Sequence, residues 1–232
     1  MTRTDSPRCG DYYESRLTDG GPFAFLILSE DLWNARVPDS VAVPIYESDD
    51  PPSQMIPAMG AGLRADCTKV QSVPHHFFGS RLGTCPEEPW LRIRIGVRLH
   101  LDIDGREKEV SSGADEITRT EWWPHQNEIH FADFLGLPNP KLFGVITNDQ
   151  WNSREHTSYC TAVRLTSKTK DWRQRWEVEV AGGWVVCADL YSLPYSDMEQ
   201  SPPAANYPTS LSLQESRDLA TRQKYTLSLA KA

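Results

Sequence analysis

"DLWNAR" occupies residues 31–36 and "DQWNSR" residues 149–154, so Asp, Trp, Asn and Arg recur at identical spacing 118 positions apart. The flanks show that this is more than a chance match. Before the first hexad runs "FAFLILSE" and before the second "KLFGVITN", both short apolar stretches of strand formers that end in a polar turn. After them come "SVAVPIY" (40–46) and "YCTAVRLT" (159–166), with two extra residues in the second intervening loop. Further on, "LRADCTKVQSV" (63–73) and "VVCADLYSLPY" (185–195) share Ala-Asp after a β-rich approach. Each half then closes on a helical pattern. In the first, Pro86 and Glu87 open "PEEPWLRIRIGVRLHL", with Leu91, Ile95 and Leu99 on one face at i, i+4, i+8. In the second, Glu215 opens "ESRDLATRQKYTLSL", with Leu219 and Leu227 in matching places. Five elements agree in type and order, and the hexad reads as the turn after the second strand of each copy.

This repeat sets the expected organisation. Residues 1–102 form a first β-rich unit with a terminal helix, 103–126 a charged linker, and 127–232 a second, more divergent unit of the same kind. Residues 47–60 and 196–210 read as corresponding loops.

Composition narrows the function classes. The 232 residues are 39% hydrophobic and 10% aromatic, enough for packed cores, and no apolar run approaches the roughly 20 residues that span a bilayer. "MTRTDSPRCGDYY" holds no apolar core segment, so neither a signal peptide nor a membrane location is expected. Five cysteines without a CxxC pair read as reduced thiols in a cytoplasmic protein. A zinc site from Cys67, His75, His76 and Cys85 is a weak alternative, and no metal or cofactor is expected. The net charge of −8 argues mildly against a nucleic-acid partner, although screening over about 8 Å lets a local basic patch override it.

The ordered motifs resemble the MazF/PemK toxins. "RCGDYY" (8–13) resembles the family's Arg-x-Gly-Asp opening strand, and "FLILSEDLWNARVPDSVAVPIY" its second and third strands. "LRADCTKVQSV" is similar to its Arg-x-Asp-x-x-Arg segment, and "SRLGTCPEEPWLRIRIGVRLHLDI" to its Gly-x-Leu, Pro-Glu-Glu and final helix. In the second half "NEIHF" (127–131) stands where a Gly-Asp strand belongs. The resemblance implies a mainly β fold with peripheral helices: two tandem SH3-like barrels of the MazF/PemK/CcdB type. Because the family acts as a two-fold dimer, two linked copies imply an intramolecular pseudo-dimer and a monomeric protein.

The resemblance also implies metal-independent cleavage of single-stranded RNA and a cognate antitoxin as partner. The family supplies an Arg before the second strand, a Ser or Thr ending the third, and in some members an Arg-x-Asp pair. In the first half Arg64 and Asp66 match that pair. Arg64 would hold a phosphate, and Asp66 would transfer a proton or orient Arg64; the bland alternative is a strand-end ion pair. The pre-strand Arg is missing, with Gly21, Pro22 and Phe23 in its place, and the third strand ends in Tyr46. In the second half Lys141 takes the pre-strand position and Thr166 ends the third strand, while Cys187 replaces the Arg and only Asp189 remains. Two outcomes follow: the remnants combine into one composite site, or both copies have decayed into an RNA- or antitoxin-binding module.

Other cations are candidates for holding RNA. They are Arg16 in the loop after the first strand, Lys69, and Arg164, Lys168, Lys170, Arg173 and Arg175 around Trp172 and Trp176 in "RLTSKTKDWRQRW". The alternative for the last group is a hairpin with a charged outer face and one Trp per side in the core. A gyrase-poisoning relative ranks last, since that branch depends on an apolar Trp-containing C-terminus and this chain closes on "YTLSLAKA".

Overall fold

The computed structural model describes residues 6–17, 20–107, 122–133, 140–154, 157–199 and 208–230. The chain is mainly β and divides into two compact units, Met1–His100 with Lys224–Ala232, and Leu101–Gln223. Among the described residues no helix is long and apolar enough to cross a membrane.

The first unit contains β1 (Asp11–Ser15), β2 (Ala24–Ile27), the one-turn helix α1 (Asp31–Asn34), β3 (Asp39–Glu47), β4 (Ala58–Gly60), β5 (Leu63–Ala65), β6 (Gln71–Pro74), β7 (Phe78–Thr84) and α2 (Glu87–His100). Its antiparallel sheet runs β4-β5-β3-β2-β1-β7, with β6 also on β3. β2 is buried on both faces, as its unbroken apolar run requires in a curled sheet.

In the second unit follow α3 (Ile103–Glu107), β8 (Ile129–Ala132), β9 (Lys141–Val145), the one-turn α4 (Asp149–Asn152), β10 (Tyr159–Thr166), β11 (Glu177–Val180) and β12 (Gly183–Pro194). Helix α5 (Leu213–Thr226) begins here, and its last three residues belong to the first unit. The antiparallel sheet runs β11-β12-β10-β9-β8. The stretch read as a linker begins with α3, in which Ile103 and Arg106 are buried. Trp122 and Trp123, near its other end, pack on the core around Phe143, Ala162 and Tyr195. Residues 108–121 lie outside the described residues.

Both hexads build the same turn. The amides of Trp33 and Asn34 donate to the Glu30 carbonyl, and those of Trp151 and Asn152 to the Asn148 carbonyl. The Asn34 side chain donates to the Ser29 carbonyl at 2.9 Å, and that of Asn152 to the Thr147 carbonyl at 3.3 Å. The Ser29 and Thr147 hydroxyls accept from the Val41 and Thr161 amides. Asp31 and Asp149 accept from the amides of Cys9 and Gln126, tying each turn to the chain leading into its unit's first strand.

The pairing of the third strands fixes how the copies correspond. Ile45 pairs with Ala65 and Tyr46 with Arg64 in the first unit; Leu165 pairs with Val185 and Thr166 with Trp184 in the second. Ser40–Val73 and Cys160–Leu193 keep the same offset of 120. Arg64 therefore corresponds to Trp184, three residues before the Cys187 that the shared Ala-Asp dipeptide points to. Local sequence identity misplaced the match because strand register follows the buried face. On this register Cys67 and Cys187 coincide, and both are fully buried.

The apolar stripe of α2 lies on the outer side of the helix. Leu91, Ile95 and Leu99 do share a face, but they are 55%, 41% and 41% exposed. The inward face is Ile93, Gly96 and Val97. Gly96 makes this possible, since a Cβ there would sit 2.8 Å from both Cys67 Sγ and the Gln54 carbonyl oxygen.

Candidate functional site

In the first unit, Arg64 and Asp66 do not pair with each other. Arg64 faces Tyr46 across the β5–β3 ladder; its Nε donates to the Asp50 carbonyl at 3.2 Å and Nη1 to the Leu63 carbonyl at 3.0 Å. Asp66 leaves the strand to cap the short 3-10 turn Cys67–Lys69. Its Oδ1 accepts from the Thr68 amide at 3.1 Å and the Thr68 hydroxyl at 2.5 Å, and Oδ2 lies 3.3 Å from Lys69 Nζ. Lys69 Nζ sits 4.9 Å from the centre of the Tyr46 ring. The end of β3 thus gathers Arg64, Lys69 and the Tyr46 phenol. Arg16 is exposed, with Nη1 3.5 Å from the His76 carbonyl oxygen.

The Gly10-Asp11 opening has a clear local role. Gly10 takes φ 82°, a left-handed turn suited to glycine, and delivers Asp11 into a buried position. Its carboxylate receives both Nε and Nη2 of Arg81 and the Thr84 hydroxyl. The Arg81 hydrogen bond holds the Asp11 carboxyl below its ordinary range, against the opposing effect of burial.

In the second unit the sheet collects chemistry that the sequence left scattered. Phe143 pairs with Arg164 and Val145 with Ala162, so side chains 143, 145, 162 and 164 share one face. By alternation that face also carries Lys141, two residues before Phe143, and Thr166, two residues after Arg164. Tyr191 pairs with Ala162 and joins them. Arg164 Nη2 lies 3.0 Å from Asp189 Oδ2, and the Tyr191 hydroxyl donates to Asp189 Oδ1. Arg164 keeps 35% of its side chain exposed and Asp189 14%. The Thr166 hydroxyl donates to the Lys168 carbonyl at 3.2 Å. The sequence grouped Arg164 with the cations around Trp172; strand register instead joins it to Asp189, 25 residues away on β12.

The stretch 168–176 splits in role. Trp176 is buried and Trp172 is 37% exposed, so one tryptophan anchors the core and one is presented. Arg173 Nε lies 2.9 Å from Glu177 Oε1, with both side chains largely buried. Thr169 donates to the same carboxylate, so Arg173 is engaged in the fold while stacking 5.7 Å from the Trp172 ring centre. Lys168, Lys170 and Arg175 are exposed around them.

A further polar cluster flanks β8. His130 Nε2 lies 3.0 Å from Glu128 Oε2, and Nδ1 lies 3.0 Å from the Glu199 carbonyl oxygen. The Glu128 carboxyl is held below its usual value by hydrogen bonds from His130 and the His125 amide, which outweigh the larger single effect of burial. Among the described residues no group of three or more His, Cys, Asp or Glu side chains is placed to hold a metal ion, and Cys67, His75, His76 and Cys85 do not converge on one point. Burial pushes the thiols of Cys85, Cys160 and Cys187 up to about 11, 12 and 12.

No family model matches the chain, and no curated protein matches it by sequence. Solved structures do match. A mycobacterial endoribonuclease in complex with its cognate antitoxin is 20% identical, with a TM-score of 0.38, covering 47% of this chain and 99% of its own. A second mycobacterial endoribonuclease is 19% identical, with a TM-score of 0.35, covering 40% of this chain and 89% of its own. The MazE–MazF complex of Deinococcus radiodurans is 16% identical, with a TM-score of 0.38, covering 46% of this chain and 98% of its own.

Proposed function

We propose that this chain is a MazF/PemK-like toxin module: two SH3-like barrels in tandem that cleave single-stranded RNA without a metal ion. What carries the reading is the face of the second unit on which strand alternation puts Lys141 and Thr166, the residues matched to the family's pre-strand cation and third-strand hydroxyl, beside the paired Phe143 and Arg164. The 120-residue offset shared by the pairings of β3 with β5 and β6 and of β10 with β12 supports the tandem duplication.

The reaction moves the proton of a ribose 2′-hydroxyl to a base. The 2′-oxygen then bonds to the adjacent phosphorus, the bond from phosphorus to the 5′-oxygen breaks, and that oxygen takes a proton. Lys141 neutralises the phosphate, and the Thr166 hydroxyl hydrogen-bonds to one of its oxygens. In the first unit, Arg64 and Lys69 are that unit's own cations for an RNA backbone, and Asp66 is its candidate proton acceptor. Exposed Trp172 offers a base-stacking surface flanked by Lys168, Lys170 and Arg175. Arg16 adds a peripheral cation, and Arg173 braces Trp172. A cognate antitoxin is the protein partner, and the chain acts as a monomer in the cytoplasm.

One observation favours the second reading, a catalytically degenerate relative that binds RNA or an antitoxin. Asp66 is engaged by Thr68 and Lys69, and Arg64 by backbone carbonyls. The two readings separate on turnover. Purified protein with chelator present should cleave a single-stranded RNA oligonucleotide, and Lys141→Ala should slow cleavage about a hundredfold. Binding of RNA without any cleavage would leave only the binding module.

A further inference from the structure

We infer that Arg164, held by Asp189 and Tyr191, is a phosphodiester-binding residue of the second unit, and that it supplies there the guanidinium that Trp184, the counterpart of Arg64, does not. The inference rests on the proposed RNA-directed function and adds to it a residue that the motif comparison does not supply.

The geometry is that of a preset anion grip. Arg164 lies on the same sheet face as Lys141 and Thr166, two residues before Thr166 on β10. Diagonal and i, i+2 neighbours on one sheet face stand about 7 Å apart, within reach of one phosphate when two of the three side chains are long. Asp189 fixes the guanidinium through one terminal nitrogen at 3.0 Å. The Tyr191 hydroxyl takes up the other carboxylate oxygen, and the Tyr191 ring is packed edge-on against buried Phe143 at 5.4 Å between centres. The carboxylate is thereby anchored at both oxygens, and a guanidinium has further N–H donors to present. The guanidinium stays open to solvent: the side chain of Arg164 is 35% accessible where the neighbouring Phe143 and Ala162 are fully buried.

The offset of the repeat explains why this pair is new to the second unit. Position 164 corresponds to Pro44 and position 189 to Lys69, so the first copy carries no equivalent ion pair. The first unit places its cations, Arg64 and Lys69, at the end of β3; the second places its guanidinium on the strand itself. Arg164 is a binding residue, while Asp189 and Tyr191 act through it as positioning residues.

The test uses the full-length protein with two probes: a single-stranded RNA oligonucleotide for cleavage and its 2′-O-methyl analogue, which cannot be cleaved, for affinity. Arg164→Ala should weaken binding of the analogue at least tenfold and slow cleavage about a hundredfold. Arg164→Lys should recover part of the affinity and little of the rate, because a point charge lacks the fork. Tyr191→Phe should lower the rate severalfold with an unchanged melting temperature. Arg92→Ala, an exposed cation paired with Glu88 on α2, is the control that leaves both readouts unchanged. Should Arg164→Ala unfold the chain, Arg164→Lys and Tyr191→Phe carry the test. Wild-type cleavage with Arg164 variants within threefold of it in both rate and affinity overturns the inference and leaves the proposed function standing. Loss of analogue affinity in Arg164→Ala, with no cleavage by wild type, supports the binding role and removes the nuclease reading.

Discussion

Removing the side chain of Asn34 should cost the first unit about 3 kcal/mol. Asn34 is 1% exposed and closes the hexad turn from inside. Its Oδ1 accepts from the Ser29 hydroxyl at 2.5 Å and the Ser40 hydroxyl at 2.8 Å, and its Nδ2 donates to the Ser29 carbonyl at 2.9 Å. In Asn34→Ala three buried bonds vanish at roughly 1 kcal/mol each, and the Ser29 carbonyl loses a partner in a site too enclosed for water to replace it. Asn34→Asp keeps the size and the Oδ1 contacts but sets a carboxylate oxygen against the Ser29 carbonyl, and should cost at least as much. Urea titration followed by tryptophan fluorescence reads the effect. With a slope near 2 kcal/mol/M for a unit of this size, the transition should move down by about 1.5 M at constant slope. If Asn34→Ala shifts the midpoint by less than about 0.3 M, the hexad is not the turn that holds the second and third strands together, and the reasoning from the repeat fails.

The other predictions follow the same contacts. Asp11→Asn should lower the melting temperature at pH 7, and the gap from wild type should close as pH falls below the ordinary carboxyl value of 3.8: a depressed folded-state pKa stabilises above that value and loses its contribution as the native carboxylate protonates. Gly96→Val should destabilise by about 2 kcal/mol or more in urea unfolding, since its added atoms meet Cys67 and a backbone carbonyl; an unchanged midpoint would mean that α2 does not pack there. A thiol reagent at pH 8 should label half-exposed Cys9 first and leave Cys67, Cys160 and Cys187 unmodified until denaturant is added.

The fold was legible where a pattern had both period and order. Strands β2, β3, β9 and β10, the turn of each hexad and the two long helices all fall where the apolar runs and turn residues set them. Register was not legible. The dipeptide Ala-Asp at 65–66 and 188–189 suggested a match, but which residues of β12 oppose β10 is decided by pairing and by an irregularity between Val163 and Leu165. Which face of α2 turns inward was not legible for a related reason. Both Leu91-Ile95-Leu99 and Ile93-Gly96-Val97 recur at helical spacing, and the inward one is selected by Gly96, whose missing side chain lets the β5–β6 connection approach. The candidate site was half legible: Lys141 and Thr166 came from motif positions, while Arg164, Asp189 and Tyr191 meet only through strand neighbours remote in sequence.

The most direct measurement of the central claim is the chemical nature of the ends left on a cleaved RNA. Full-length protein should be incubated with a defined single-stranded RNA in chelator and the products weighed by mass spectrometry. Attack by the neighbouring 2′-hydroxyl predicts fragments ending in 2′,3′-cyclic phosphate with 5′-hydroxyl partners, no products from a matched DNA strand, and about a hundredfold slower release of the same products with Lys141→Ala at equal concentration. Intact RNA after prolonged incubation, or fragments carrying 5′-phosphate, would contradict the account.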